Sequence, residues 1–226
     1  MSPKIRVAIL DDHQSIIDGY LFRLNQTPEV EVVATATYGE ELEPMLRDRS
    51  ADVLILDVQV PTSPDNPNPY PILYLIPRLL QMHPNLNVLV ISVHNQATLI
   101  KSVMEAGASG YILKDDHAAI RELGNVVQAV AQGSIHFSQQ AYQKLFKKLP
   151  PELTLTSRQL EALSLCAAFP DETTAELAGR LGIANSTIRT LLSGAYMRLN
   201  VRSRTSAVAR AQQMGLITPP RVIVEF

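Results

Sequence analysis

The chain has 226 residues, 46% hydrophobic and 19% charged, enough for two domains that each bury a core, and its single cysteine, Cys166, excludes an internal disulfide framework. No apolar run approaches the ~18 residues of a membrane span, and Asp11 and Asp12 interrupt the run that follows Lys4 and Arg6, so neither a signal peptide nor a membrane anchor is expected and the reading is a cytoplasmic protein. The net charge of −2 is unevenly spread: residues 1–149 hold 12 Lys+Arg and 16 Asp+Glu, residues 150–226 hold 8 and 6, a slight bias that suits an acidic first part joined to a nucleic-acid binder.

Five short apolar runs rich in β-branched residues read as buried strands: Lys4 to Leu10, Val30 to Ala34, Val53 to Leu56, Leu86 to Ile91 and Ser109 to Leu113. Helical spacing separates them. Ile16, Ile17, Tyr20, Leu21 and Leu24 recur at intervals of three and four, as do Leu99, Ile100, Val103 and Met104, and Ile120, Leu123, Val126, Val127 and Val130. Five strands alternating with five helices predict a doubly wound parallel sheet covered on both faces. Such a sheet binds ligands at the carboxyl ends of its strands. Residues 58–71 are different. Pro61, Pro64, Pro67, Pro69 and Pro71 forbid helix and central strand there and predict an extended, exposed loop. Pro77 falls in the next apolar stretch, where it kinks the third helix or starts it. Residues 133–152 read as a linker with some helix. Beyond it the strand signal vanishes and four helices are expected, at about 157–168, 173–181, 185–198 and 203–214, with Cys166 a small core residue of the first. The tail, 217–226, packs as an edge segment or stays loose.

Polar residues stand at the ends of these strands. Asp11 and Asp12 follow the first and Asp57 follows the third, so a parallel order that sets those strands side by side gathers three carboxylates at one edge. They repel one another unless a cation sits among them, and an all-oxygen donor set favours Mg²⁺. Ser92 closes the fourth run and Lys114 the fifth, a hydroxyl and an ammonium suited to phosphoryl oxygens. Asp57 is then the nucleophile, forming an acyl phosphate.

The motifs LDDH (10–13), LILDV (54–58), VISVH (90–94) and GYILKDD (110–116) resemble the receiver domain of response regulators, which is flavodoxin-like. The resemblance implies that Asp57 is the phosphoacceptor, that Asp11, Asp12 and the backbone carbonyl of Gln59 join it in holding the metal, that Lys114 contacts the phosphoryl group, and that Ser92 and Tyr111 are the switch pair. It also implies a sensor histidine kinase as partner. One departure is the proline-rich stretch, which lengthens the interval from Asp57 to Ser92 and hangs over the site.

In the second half, small Ala178 and Gly182 four residues on fit a helix-turn-helix crossing, with Leu177, Leu181, Ile183, Ile188 and Leu191 as apolar positions and Asn185 or Ser186 as cap of the second helix. Residues 153–165 and 172–211 resemble the four-helix LuxR-type domain of the NarL/FixJ subfamily. The division expected is a receiver over 1–132, a linker over 133–152, the helix-turn-helix domain over 153–216 and a tail over 217–226. By that resemblance Arg189, Thr190 and Ser193 face bases of double-stranded DNA, while Thr187, Arg198, Arg202, Arg204 and Thr205 reach phosphates, in a homodimer on paired half-sites. Gln159 stands where the family often has Glu, Leu191 where it often has His, and Gly194 sits mid-helix at a cost of ~1 kcal/mol relative to Ala. The reading helix is poor in cations.

The function expected is therefore a phosphorylation-controlled DNA-binding transcriptional regulator with no catalysis beyond slow autodephosphorylation. The alternative is a receiver that signals by protein contact, its helical domain having weak or lost DNA specificity. A Mg²⁺-dependent phosphotransferase of the haloacid-dehalogenase kind usually has a second acid two residues after its aspartate, where this chain has Gln59.

Overall fold

The computed structural model describes residues 3–145 and 155–220. The end of the expected linker, the start of the second domain at 153–154 and the tail residues Val222 to Val224 lie outside them. The first half runs β1 (Ile5–Leu10), α1 (Gln14–Leu24), β2 (Val30–Ala36), a 3₁₀ turn at Gly39–Glu41, α2 (Leu42–Asp48), β3 (Val53–Leu56), β4 (Pro61–Ser63), β5 (Asn66–Pro69) and α3 (Ile72–Met82). It continues with β6 (Asn87–Ser92), α4 (Ala97–Glu105), β7 (Gly110–Leu113), α5 (His117–Arg121), α6 (Leu123–Ala131), β8 (His136–Phe137) and α7 (Gln139–Leu145).

The main sheet has the order β2-β1-β3-β6-β7-β8 with every pair parallel. Alternate residues serve opposite faces, as strand geometry requires. Leu10, Leu54, Leu56, Val88, Val90, Tyr111 and Leu113 pack with α2, α3 and α4. Val7, Ile9, Val53, Ile55, Leu89, Ile91 and Ile112 pack with α1 and α6. The chain turns outward to β2 on one side of β1 and to β3 on the other, so the switch point lies between β1 and β3, at their carboxyl ends.

Four features differ from the expectation. The sheet has a sixth strand, β8, taken from the residues read as linker. The His136 N–H donates to Ser109 O at 3.0 Å and the Ser138 N–H to Tyr111 O at 3.0 Å. Gly110 permits the approach, since a Cβ there would lie 2.6 Å from His136 O. A two-residue strand carries no periodicity, so the sequence pattern misses it. Secondly, the proline-rich stretch is an antiparallel hairpin of β4 and β5, with Val60 and Thr62 buried. Proline is excluded from a central strand but tolerated in a two-stranded ribbon with open edges. The Thr62 hydroxyl donates to Asn68 O at 2.9 Å and the Tyr70 N–H to Val60 O at 2.8 Å, closing the ribbon on itself. Thirdly, α3 begins at Ile72 and runs through Pro77. The ~3 kcal/mol that an interior proline costs is opposed by burial of Ile72, Leu73, Leu75, Ile76 and Leu79. Lastly, the fifth helix is broken into α5 and α6 at Glu122.

The second half holds α8 (Ser157–Ala168), α9 (Thr174–Leu181), α10 (Asn185–Leu199) and α11 (Arg204–Gln213) around one apolar core. Thr156 with Gln159 and Thr173 with Glu176 form capping boxes that satisfy the first N–H groups of α8 and α9. Gly182 takes the left-handed conformation (φ 64°) that closes α9. Ala184, not Asn185 or Ser186, occupies the cap of α10, because the helix begins at Asn185 itself and no side chain caps it. Cys166 is buried, and that burial pushes its thiol pKa up despite the nearby Arg204, as an inert core residue requires. The halves meet where α8 lies against α3 and β5. Among the described residues no helix is long and apolar enough to cross a membrane.

Candidate functional site

The register of the sheet assembles the acidic site. Leu10 pairs with Leu56, so the residues one step beyond, Asp11 and Asp57, emerge side by side at the carboxyl edge. Their main chains are tied down by N–H bonds from Asp11 to Ala36 O and from Asp57 to Leu10 O, at 3.2 and 2.9 Å. Across β6, the Lys114 N–H donates to Ser92 O at 2.9 Å, which brings the end of β7 to the same edge.

Lys114 is the centre of the cluster. Its Nζ lies 2.6 Å from Asp11 Oδ2 and 2.7 Å from Asp57 Oδ2. Asp11 and Asp57 are 1% and 4% exposed, so these charges face one another largely without water. Asp57 Oδ1 accepts the Gln59 N–H at 3.2 Å. Burial alone would lower the lysine pKa, but Asp57 and Asp11 hold it above its ordinary value. Burial also lifts the Asp11 carboxyl, Asp57 adds to the rise, and Lys114 offsets only part of it. Both shifts arise from burial together with the mutual charges of Asp11, Asp57 and Lys114, two carboxylates sharing one ammonium.

That excess of buried negative charge, offered entirely as carboxylate oxygen, fits a hard divalent cation such as Mg²⁺. Among the described residues, the acidic and imidazole donors that lie within 4.8 Å of one another are Asp11, Asp12 and His13. His13 is an addition to the expected set: its Nδ1 is 2.7 Å from Asp12 Oδ1, and its N–H donates to Asp11 Oδ1 at 3.0 Å. Asp57 faces the group from across Lys114.

Ser92 and Tyr111, the residues expected to act as a switch pair, are neighbours beside this cluster. Ser92 is fully buried, and its Oγ accepts the His94 N–H at 3.2 Å. Tyr111 is fully buried, and its hydroxyl donates to His94 O at 2.7 Å. His94 therefore links the two, a role the sequence signals only by its position two residues after Ser92. Its imidazole pKa is lowered, first by burial and then by Lys114, with Asp57 opposing.

The second surface is the outer face of α10. Thr187, Arg189, Thr190, Ser193 and Arg198 are exposed along it, with Arg202 just beyond. The helix packs on α8, α9 and α11, which leaves this face clear. Arg204 departs from its expected place. Its guanidinium donates to Glu172 O at 2.5 Å and Phe169 O at 2.8 Å, tying α11 to the loop between α8 and α9, where Phe169 O otherwise accepts only the Glu172 N–H at 3.3 Å. The two departures at Gln159 and Gly194 explain each other. A Cβ at Gly194 would stand 2.6 Å from Gln159 Nε2, so the glycine makes room for the buried amide whose Oε1 accepts the Thr156 N–H.

Residues 7–127 match the response regulator receiver domain, and residues 153–211 match the bacterial regulatory proteins of the luxR family. The chain is similar to the transcriptional regulatory protein DegU of Brevibacillus brevis, 28% identical over 95% of each chain. It is also similar to the DNA-binding transcriptional activator DevR/DosR of Mycobacterium tuberculosis, 28% identical over 96% of this chain and 98% of that one. Its fold is similar to that of RcsB from Salmonella enterica serovar Typhimurium bound to promoter rprA in the presence of phosphomimetic BeF3⁻, with a TM-score of 0.65 and 22% identity over 92% of this chain and 98% of that one. By the acidic cluster at the sheet edge, the helical second half and these matches, the chain belongs to the response regulators of the NarL/FixJ family, a receiver domain followed by a LuxR-type helix-turn-helix domain.

Proposed function

We propose that this chain is a DNA-binding transcriptional regulator of the cytoplasm, switched by transfer of a phosphoryl group from a sensor histidine kinase to Asp57. The observation that carries this reading is the Lys114 ammonium set between Asp11 and Asp57 at 2.6 and 2.7 Å. In the transfer a carboxylate oxygen of Asp57 forms the new bond to phosphorus while the donor's bond to phosphorus breaks. The Gln59 N–H holds one oxygen of Asp57 and Lys114 the other, so the nucleophile is oriented before the donor arrives. Lys114 is the group placed to meet the phosphoryl oxygens as charge moves onto them. Asp11, Asp12, Asp57 and the backbone carbonyl of Gln59 would hold Mg²⁺, which supplies the remaining charge neutralisation. The Ser92 hydroxyl then has a phosphoryl oxygen to bind. Drawing it over moves His94 and the Tyr111 hydroxyl bonded to it, and with them the start of α4.

At the other end, α10 enters the major groove. Arg189, Thr190 and Ser193 face the bases; Thr187, Arg198 and Arg202 face phosphates, and the functional unit is a homodimer on two half-sites. Arg204 is withdrawn from this list by its bonds to Glu172 O and Phe169 O. A second reading, a regulator working by protein contact with weak DNA specificity, is favoured by the same withdrawal, since few cations remain on the reading face. The test is phosphorylation with a small-molecule phosphoryl donor and Mg²⁺, followed by promoter binding at several salt concentrations. The expected result is label on the wild type, none on Asp57→Ala, and donor-dependent, salt-sensitive DNA binding. Label retained by Asp57→Ala overturns the site. Labelling with no sequence-dependent DNA binding favours the second reading.

A further inference from the structure

The hairpin of β4 and β5 stands outside the main sheet and bridges the two halves, with β4 against the 3₁₀ turn Gly39–Glu41 of the receiver and β5 against α8. The Asn66 amide donates to Ala168 O at 3.0 Å, satisfying a carbonyl at the end of α8. Just beyond the hairpin, the Tyr74 ring packs against the core of the helical domain.

The other side of this junction is the strap that follows α11. Leu216, Ile217, Thr218 and Pro219 are buried although they lie close to the end of the chain. The strap is anchored at two points. The Thr98 hydroxyl donates to Met214 O, and the Gln59 amide donates to Pro220 O. Gly215 permits the first approach: with φ at 66°, a Cβ there would lie 2.8 Å from Thr98 Oγ1 and 2.9 Å from Gln96 Cβ.

The anchors fall close to the reacting groups. Gln59 is two residues from Asp57 and already gives its N–H to that carboxylate. Gln96 and Thr98 open α4, directly after the turn in which Ser92 binds the His94 N–H. The strap is thus tied to the two loops that carry the phosphoacceptor and the switch hydroxyl.

We propose that the proline-rich hairpin and the strap Met214–Pro220 form an intramolecular clasp whose closure is coupled to the chemical state of Asp57 through Gln59 and the start of α4. The proposal rests on the reading of Asp57 as phosphoacceptor. A phosphoryl group at Asp57 competes for the Gln59 N–H and pulls Ser92, so both anchors shift together and the strap is released. Arg189, Thr190 and Ser193 of α10 are exposed with the clasp closed, so the clasp bears on the orientation of the helical domain and does not cover these residues. Linkage makes the coupling reciprocal: whatever opens the clasp makes Asp57 easier to modify.

The test is amide hydrogen exchange on the full chain with Mg²⁺, with and without beryllofluoride as phosphoryl mimic, on wild type, Asp57→Ala, Asn66→Ala and Thr98→Val. In the wild type, beryllofluoride is expected to slow exchange at 92–94 and to speed it at 61–69 and 214–218 by about tenfold, within the usual span of intramolecular coupling. Asp57→Ala shows neither change. Asn66→Ala and Thr98→Val each start with the faster exchange at both segments and bind beryllofluoride about fivefold more tightly. The two residues lie on different elements, so a shared effect is not local unfolding of one. Protection at 92–94 with both clasp segments unchanged overturns the clasp and leaves phosphorylation standing. Variants that open but bind beryllofluoride as the wild type does overturn the coupling. No response anywhere in the wild type overturns the site reading and the clasp with it.

Discussion

The acidic cluster and the reading helix place their charges in opposite surroundings. Asp11, Asp57 and Lys114 are nearly out of water and held by the ends of β1, β3 and, across the intervening β6, β7, so each interaction is strong and each misplacement costly. Thr187, Arg189, Thr190 and Ser193 stand in water on one helix, and Thr190 merely donates to Ser186 O at 3.1 Å within it. Exposed hydroxyls and a lone exposed charge of that kind add little to folding and act through the partner they meet. Chemistry at a point is built by burying charge against charge. Readout of a long polymer is built by leaving charge exposed on a rigid support, and the support is where the energy lies.

The largest expected effect breaks the buried side of this comparison. Lys114→Met leaves Asp11 and Asp57 facing each other without their ammonium, and urea unfolding at neutral pH without divalent ions should show a loss of about 3 kcal/mol. The pH dependence carries the same signature. The folded lysine pKa lies above its ordinary 10.5, so its contribution is fully present below 10.5 and is lost as pH rises through the folded value. Unfolding followed from pH 8 to 11 should therefore fall less steeply in Lys114→Met than in wild type. Buried Tyr20 and Tyr111, whose pKa values burial also raises, keep part of the alkaline loss in both proteins.

Arg204→Ala tests whether a cation in the second domain belongs to the support or to the surface. It removes the charged donor from Glu172 O and leaves Phe169 O only the Glu172 N–H, and the expected result is a loss of about 2 kcal/mol in stability with the salt dependence of DNA binding unchanged. The reverse outcome would return Arg204 to the DNA face. Gly194→Ala is a smaller test of the support. The clash with Gln159 Nε2 costs about 1–3 kcal/mol, of which helix propensity returns about 1. The second substitution of a Gln159→Ala, Gly194→Ala pair should then cost less than it does alone, a coupling that a double-mutant cycle reads directly. The smallest effect lies on the exposed side: Arg202→Ala should leave the melting temperature unchanged and reduce the salt slope of DNA affinity by about 1.

Local pattern carried much of this molecule. The apolar runs, their spacing and the polar residue at each strand end were enough to place Asp11, Asp57, Ser92 and Lys114 at one edge, because a parallel sheet of alternating burial leaves few other arrangements. The four helices of the second domain were equally legible, since Thr156, Thr173 and Gly182 mark their boundaries by local hydrogen bonding and backbone conformation. What stayed hidden depended on partners far away in the chain. Strand β8 exists because Gly110 admits it, Arg204 turns inward because two helix ends present carbonyls, and His94 matters because Tyr111 reaches it from the neighbouring strand.

The proline-rich stretch shows the division most sharply. Its composition ruled out helix and central strand, which is a property of each residue's own backbone. Whether it would hang in solvent or seat against another domain was decided by Asn66 meeting Ala168 and by the strap reaching Gln59. Residue chemistry sets which conformations a segment can adopt; the surfaces that fold beside it select among them, because burial and hydrogen bonding are settled between segments and not within one.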